Sequence, residues 1–123
     1  MEAGQTVKAS GWQLLLLGFP LLFEGCRSPD VYYWGQYEDI VYVMYGRPDK
    51  APPERQAELM EADLQRAVAA NKPVPPGFHA HLGYVYYELG KPDLAQREFI
   101  KEKTQFPEST VFMDRLLKNL AKK

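Results

Sequence analysis

Two histidines, one cysteine and a pair of acids are the side chains in this sequence whose types could support chemistry. His79 and His81 lie two residues apart, so on a helix they point about 200° apart and cannot face one metal ion. Two histidines are also too few for a structural zinc site, and the single cysteine, Cys26, has no disulfide partner. Glu38-Asp39 stands at a predicted helix start, where the helix dipole favours acids. We therefore expect no metal and no cofactor.

Sequence motifs of catalysis and of nucleic-acid binding are missing as well. The sequence contains no Gly-rich phosphate loop, no nucleophile elbow and no zinc-protease motif. Its 15 Lys+Arg against 16 Asp+Glu give a net charge of -1, which lacks the basic field that neutralises phosphates. The hydrophobic share of 46% is typical of a folded domain. We expect a protein that is not an enzyme and does not bind nucleic acid.

The N-terminal part reads as a signal segment, an anchor and a tether. The uncharged stretch 9–23 holds about a dozen apolar residues, too few for a bilayer, which needs about 20, but typical of a secretory signal. Gly25 precedes Cys26 as in a bacterial lipobox. We predict a lipoprotein-type signal in residues 1–25, lipid attachment at Cys26 and a tether in residues 26–33. An uncleaved segment with a buried, free Cys26 thiol is the alternative.

The residues around the cysteine also indicate where in the cell the protein is located. A diacyl group linked to Cys26 and an amide-linked chain would hold the protein firmly on a membrane, because two or more chains are needed for stable anchoring. Arg27 follows Cys26, where an aspartate is associated with retention in the inner membrane. We therefore expect a lipid-anchored protein on the periplasmic face of the bacterial outer membrane.

Apolar residues recur at steps of three and four through residues 34–121, which we predict to form an all-α domain. Glycine and proline clusters separate the helices, and Ser109 is a candidate N-cap of the last one. The short connections indicate antiparallel neighbours. The run Ile40-Val-Tyr-Val-Met44 could alternatively be a strand. The predicted helices are 34–45, 53–70, 78–89, 92–106 and 109–121.

Residues 76–109 resemble one tetratricopeptide repeat, a helix–turn–helix of 34 residues. His79 and Glu102 depart from the pattern, since a large apolar residue and an alanine are usual there. A single repeat cannot bury its own face, so we expect the hairpin 34–70 to stack before it and helix 109–121 to cap it. Seven positions match the repeat in size and spacing: Leu82, Gly83, Tyr86, Gly90, Ala95, Phe99 and Pro107.

A second resemblance covers nearly the whole chain after Cys26. It is carried by YYWGQYE at 32–38, KPVPPG at 72–77, HAHLG at 79–83 and FPESTVFMDRLL at 106–117. These segments resemble a family of Gram-negative lipoproteins catalogued as domain of unknown function 4810. Its members are typically encoded beside a curli-secretion-channel-like lipoprotein and a third small lipoprotein. The resemblance implies an outer-membrane lipoprotein that acts with those two neighbours as partners, and it supplies no catalytic residues.

Aromatic residues are the candidates for partner binding. In the repeat geometry, Ala80, Tyr84, Tyr87 and Glu88 line the concave side of the first helix, where such modules bind other proteins. Tyrosine is a frequent hot-spot residue because it combines contact area with a polar tip. Ordinary core packing is the alternative for Tyr84 and Tyr87. Our leading hypothesis is a protein-binding adaptor or assembly factor for other lipoproteins.

Two other classes of function compete with the adaptor. A peptidoglycan- or small-ligand-binding module could use Tyr32, Tyr33 and Trp34 as a stacking platform, and a pocket lined by Trp34 and tyrosines would favour it. A hydrolase would need a convergent nucleophile and base, which the sequence does not show. Because short repeat arrays expose apolar ends, a homo-oligomer also stays open.

Overall fold

The computed structural model describes Gly4 and residues 30–122. The predicted signal segment, apart from Gly4, the predicted lipid site Cys26 and the first part of the predicted tether lie outside the described residues. Residues 30–122 are all-helical and contain no strand, which confirms the predicted all-α class. The run 40–44 is helical and is not a strand. The five helices are α1 Tyr37–Gly46, α2 Pro53–Ala69, α3 Phe78–Glu88, α4 Pro92–Gln105 and α5 Thr110–Leu120.

Prolines and glycines define where most of these helices begin and end. Pro53 and Pro92 occupy the first turns of α2 and α4, where the missing N–H costs nothing. Short 3-10 turns at Pro48–Lys50 and Pro107–Ser109 precede α2 and α5. The predicted cap at Ser109 is wrong, because its hydroxyl donates to the Phe106 carbonyl at 2.8 Å and makes no cap of α5.

The α3–α4 pair is the most closely packed part of the domain. Gly77 at the start of α3 meets Glu102 late in α4, whereas Gly83 faces Ala95 early in α4, so the two helices run antiparallel. A Cβ atom on Gly83 would lie 2.6 Å from the Phe99 ring. Only glycine lets the two helices approach this closely.

All five helices contribute to one apolar core. The α3–α4 pair supplies its centre, while α1, α2 and α5 each insert residues from outside. Met60 and Met113, which come from α2 and α5, are almost completely buried. Burial of such side chains stabilises the fold by roughly 1.5–3 kcal/mol each relative to exposure. The core residues include Ile40, Met60, Phe78, Leu82, Val85, Ala95, Phe99 and Met113.

Two buried carboxylates hold the starts of α1 and α3. Asp63 in α2 accepts a hydrogen bond from the backbone N–H of Gln36, the residue before α1, at 2.7 Å. Glu102 in α4 accepts from the N–H groups of Gly77 and Ala80 at 2.7 and 3.2 Å. Each carboxylate thus satisfies backbone donors that a helix start leaves without an internal partner. Neither cap follows from local sequence, because the partners are 27, 25 and 22 residues apart.

Candidate binding groove

A groove of about 790 Å³ opens between α1, α3 and α5. Its volume lies in the range of roughly 300–1,000 Å³ that is typical of ligand sites. Helix α2 contributes only its first turn, and the connection before it supplies one rim. Most lining side chains are apolar or aromatic. Those from α1 and the connection are Tyr37, Val41, Met44, Tyr45, Pro48, Ala51 and Pro52, and those from α5 are Phe112 and Leu116.

Helix α3 presents three of its four predicted partner-binding residues to this groove. Ala80, Tyr84 and Glu88 follow one another at steps of four and therefore share one face of the helix. The Tyr84 side chain is 48% exposed. The neighbouring Glu88 raises the pKa of the Tyr84 phenol, through hydrogen bonding to its carboxylate and through its negative charge. The polar tips of Tyr84 and Glu88 therefore lie near each other in a groove whose lining is mostly apolar.

The fourth predicted residue, Tyr87, does not line the groove. It is partly buried against the core, and it lines a smaller cavity of about 130 Å³ that shares Tyr84 and Leu116 with the groove. Helical spacing places Tyr87 beside Ala80 on the wheel, so the sequence could not separate the two. The difference depends on α5, which places Leu116, Asn119 and Leu120 beside Tyr87.

His81 forms a polar element of the groove that sequence analysis did not assign to binding. Its Nε2 lies 2.8 Å from Oε1 of Gln56, whose Nε2 donates to the Ala51 carbonyl at 2.6 Å. The carboxamide oxygen must accept, so the His81 Nε2 carries a proton. Burial lowers the pKa of His81, which keeps the ring neutral at neutral pH. A neutral ring with a proton on Nε2 leaves Nδ1 as an acceptor.

His79 lies away from the groove, inside the domain. It is 3% exposed, and its Nδ1 lies 2.6 Å from the Glu98 carboxylate, which also accepts from Lys101 at 2.7 Å. Burial alone would raise the pKa of Glu98, but the hydrogen bonds from His79 and Lys101 outweigh it and lower that pKa. The two histidines thus have separate partners on α4 and α2. Within residues 30–122, no group of three or more His, Cys, Asp or Glu side chains could hold a metal ion.

The aromatic residues before α1 pack against the domain. The Tyr32 ring lies 6.5 Å from that of Trp34 and 6.1 Å from that of Phe106. The Tyr33 N–H donates to the Pro73 carbonyl at 2.8 Å. Tyr32 and Tyr33, which we assigned to the tether, are therefore half-buried in the domain, while Trp34 is 40% exposed. None of the three lines the groove, whose tyrosines are instead Tyr37, Tyr45 and Tyr84.

The groove falls within a known family domain. The family model described as Domain of unknown function (DUF4810) matches residues 31–116, that is 86 of the 123 residues. The chain belongs to this family. The DUF4810 match extends from just before the Tyr32–Trp34 cluster to Leu116 and includes every residue that lines the groove. No curated protein and no solved structure matches the chain. No helix in residues 30–122 has the length and hydropathy needed to cross a membrane.

Proposed function

We propose that this chain is an outer-membrane-anchored, periplasm-facing adaptor that binds another protein in the groove between α1, α3 and α5. The observation that carries the proposal is the groove itself, which is open, mostly apolar and furnished with an exposed tyrosine at 48%. Exposed apolar concavities of this kind are typical of sites that bind a partner. The mechanism is presentation of a surface, and no reaction is performed.

The arrangement of the helices supports a tetratricopeptide-like design. The odd-numbered helices α1, α3 and α5 line the groove, while α2 and α4 stand behind it apart from the first turn of α2. Gly83 and Ala95 make the close helix crossing on which the repeat pattern depends, and Phe99 fills the space beside it. Helix α5 packs mainly on α4, and we assign it the role of the capping helix in this design. In this design the groove is the concave side of the repeat array.

The partners that we propose come from the family resemblance. They are the curli-secretion-channel-like lipoprotein and the third small lipoprotein that are typically encoded beside members of the family. A lipid on Cys26 would restrict the adaptor to the same membrane surface as those lipoproteins. Such co-localisation raises the effective concentration of the partners without any new contact.

The experiment is an affinity purification of the tagged, membrane-extracted chain with mass spectrometry of what it retains. Tyr84→Ala removes the exposed ring from the groove, and we expect it to reduce recovery of the channel-like lipoprotein at least fivefold, as expected for a contact worth about 1 kcal/mol or more. Tyr42→Ala is the matched control, because Tyr42 is 72% exposed on α1 and does not line the groove.

Cys26→Ser tests the anchor in the same experiment. We expect it to release the chain from the membrane and to weaken recovery of the partner, while leaving the groove intact. Equal recovery with Tyr84→Ala and with the unchanged chain would show that the groove is not the binding surface. Recovery of cell-wall fragments and of no protein would contradict the adaptor.

A further inference from the structure

The charge on the groove lining is negative. Glu88 is its charged side chain, and the described residues that line it include no Lys and no Arg. The basic residues of the nearby helices lie elsewhere, for example Lys101 beside Glu98 and Lys103 beside Asp114. A ligand that fills the groove therefore meets apolar surface and one carboxylate at its end.

The fixed polar groups of the groove are mainly acceptors. Glu88 lies near enough to Tyr84 to raise the pKa of its phenol, and both residues line the groove. Gln56 uses its NH₂ group on the Ala51 carbonyl and its oxygen on His81. The acceptors offered to a ligand include the Glu88 carboxylate and Nδ1 of neutral His81. Both can accept a hydrogen bond from a donor on the ligand, and a cationic donor would bind the carboxylate most strongly.

We propose that the groove binds a segment of a partner protein that has an apolar stripe and a lysine or arginine beside it, with the basic residue paired to Glu88. This inference rests on the proposed adaptor function and specifies the chemistry of the partner. The apolar stripe covers the surface between Tyr45 and Phe112, which are 80% and 55% exposed. The pairing with Glu88 sets the register and direction of the segment, because electrostatic complementarity contributes more to specificity than to affinity.

Cell-wall fragments fit this surface less well. Their sugars need several donors and acceptors that converge on one ring, whereas Gln56 already uses both ends of its amide within the domain. Their carboxylates would approach Glu88 with no cation among the lining residues to compensate. Like charges in contact across an interface are unfavourable. The groove therefore favours a basic, apolar peptide segment.

The test uses a phage-displayed library of random dodecapeptides, selected against the full-length chain and against two charge-reversal variants. Glu88→Lys reverses the charge at the end of the groove. Glu108→Lys is the matched control, since Glu108 is exposed in the turn before α5 and does not line the groove. We expect peptides selected by the unchanged chain and by Glu108→Lys to combine aliphatic or aromatic residues with Lys or Arg. Glu88→Lys should instead select acidic peptides.

The affinity of a selected basic peptide for the variants then gives a quantitative test. Its dissociation constant should rise roughly threefold with Glu88→Gln, the size expected for one exposed ion pair, and should not change with Glu108→Gln. The same charge preference in all three selections would overturn the inference, and so would peptides whose binding is displaced by muropeptides. If the pull-down with Tyr84→Ala supports the adaptor while the charge preference does not reverse, only the chemistry of the partner is wrong.

Discussion

The two helix pairs α1–α2 and α3–α4 share one construction, although their sequences differ. The second helix of each pair begins with a proline and carries a buried carboxylate as its eleventh residue, Asp63 or Glu102. Each carboxylate binds backbone N–H groups at the start of the first helix. A glycine with positive φ, Gly35 or Gly77, stands at that start. The same capping device therefore recurs in both pairs.

The pairs differ in how closely their helices approach. At the fourth position of the second helix, α4 has the small Ala95 and α2 has Gln56. Gln56 spans to the Ala51 carbonyl and to His81, so it joins the connection and α3 to α2. Helix α1 therefore packs less extensively on α2 than α3 does on α4. The groove opens where this looser pair meets α3 and α5, and Gln56 is part of its lining.

The largest expected loss of stability follows from truncating the buried residue at the eighth position of α4 or of α2. Phe99→Ala and Met60→Ala remove buried side chains that are 2% and 0% exposed. We expect them to lower the free energy of unfolding by roughly 3–5 and 2–4 kcal/mol, because each leaves a cavity. Urea unfolding followed by circular dichroism measures both.

Ile100→Ala, at an exposed position of α4, is the control and should change stability by no more than about 0.5 kcal/mol. The comparison predicts the larger loss in the closely packed pair. A larger loss with Met60→Ala would contradict this order.

The second prediction removes the two caps. Glu102→Ala leaves two backbone N–H groups without their acceptor and should cost about 2–3 kcal/mol, whereas Asp63→Ala leaves one and should cost about 1–2 kcal/mol. Amide hydrogen exchange should rise at the start of α3 in the first variant and at the start of α1 in the second.

Glu102→Gln and Asp63→Asn keep an acceptor oxygen and serve as the controls for cap loss. Each should recover most of the lost stability. If the amide variants are as unstable as the alanine variants, the carboxylates do not act through these hydrogen bonds.

The sequence predicted the helices, but it did not predict the carboxylate caps at their starts. Helical periodicity and the proline and glycine positions predicted five helices, and the observed ends differ by up to three residues. The repeat pattern treated Glu102 and His79 as departures. In the structure both are buried and bind groups that lie far along the chain, so a local pattern has no means of showing their partners.

The residues that line the groove were predictable from the sequence only where they share one helix face. Steps of four along α3 place Ala80, Tyr84 and Glu88 on one face, and these three line the groove. The position of α5 beside Tyr87 and the pairing of His81 with Gln56 depend on tertiary contacts. Residues whose roles depend on a neighbouring helix are the ones that sequence analysis missed.

The third prediction uses one glycine from each pair. A methyl group at Gly83 would meet the Phe99 ring at 2.6 Å and the Ala95 carbonyl oxygen at 3.2 Å, whereas nothing lies within 4 Å of such a group at Gly46. Gly83→Ala should cost about 1–2 kcal/mol through overpacking. Gly46→Ala should be neutral or stabilise by roughly 0.5 kcal/mol, because alanine is the better helix former. Thermal unfolding of both variants measures the difference, and equal melting temperatures would contradict the close approach of α3 and α4.

The smallest effect concerns the contact between the pairs, where His81 bonds to Gln56. Burial lowers the pKa of His81 below its ordinary value of 6.5. Below that value the unfolded chain binds the proton more readily than the folded one, so stability falls as the pH drops through it. The lowered pKa of Glu98 has no part in this window, because it acts only below the ordinary value of 4.5.

Unfolding midpoints should therefore fall more between about pH 7.5 and pH 5.5 in the unchanged chain than in His81→Gln. His79 is present in both proteins and cancels in the difference. An equal fall in both would show that the bond between His81 and Gln56 does not titrate in this window.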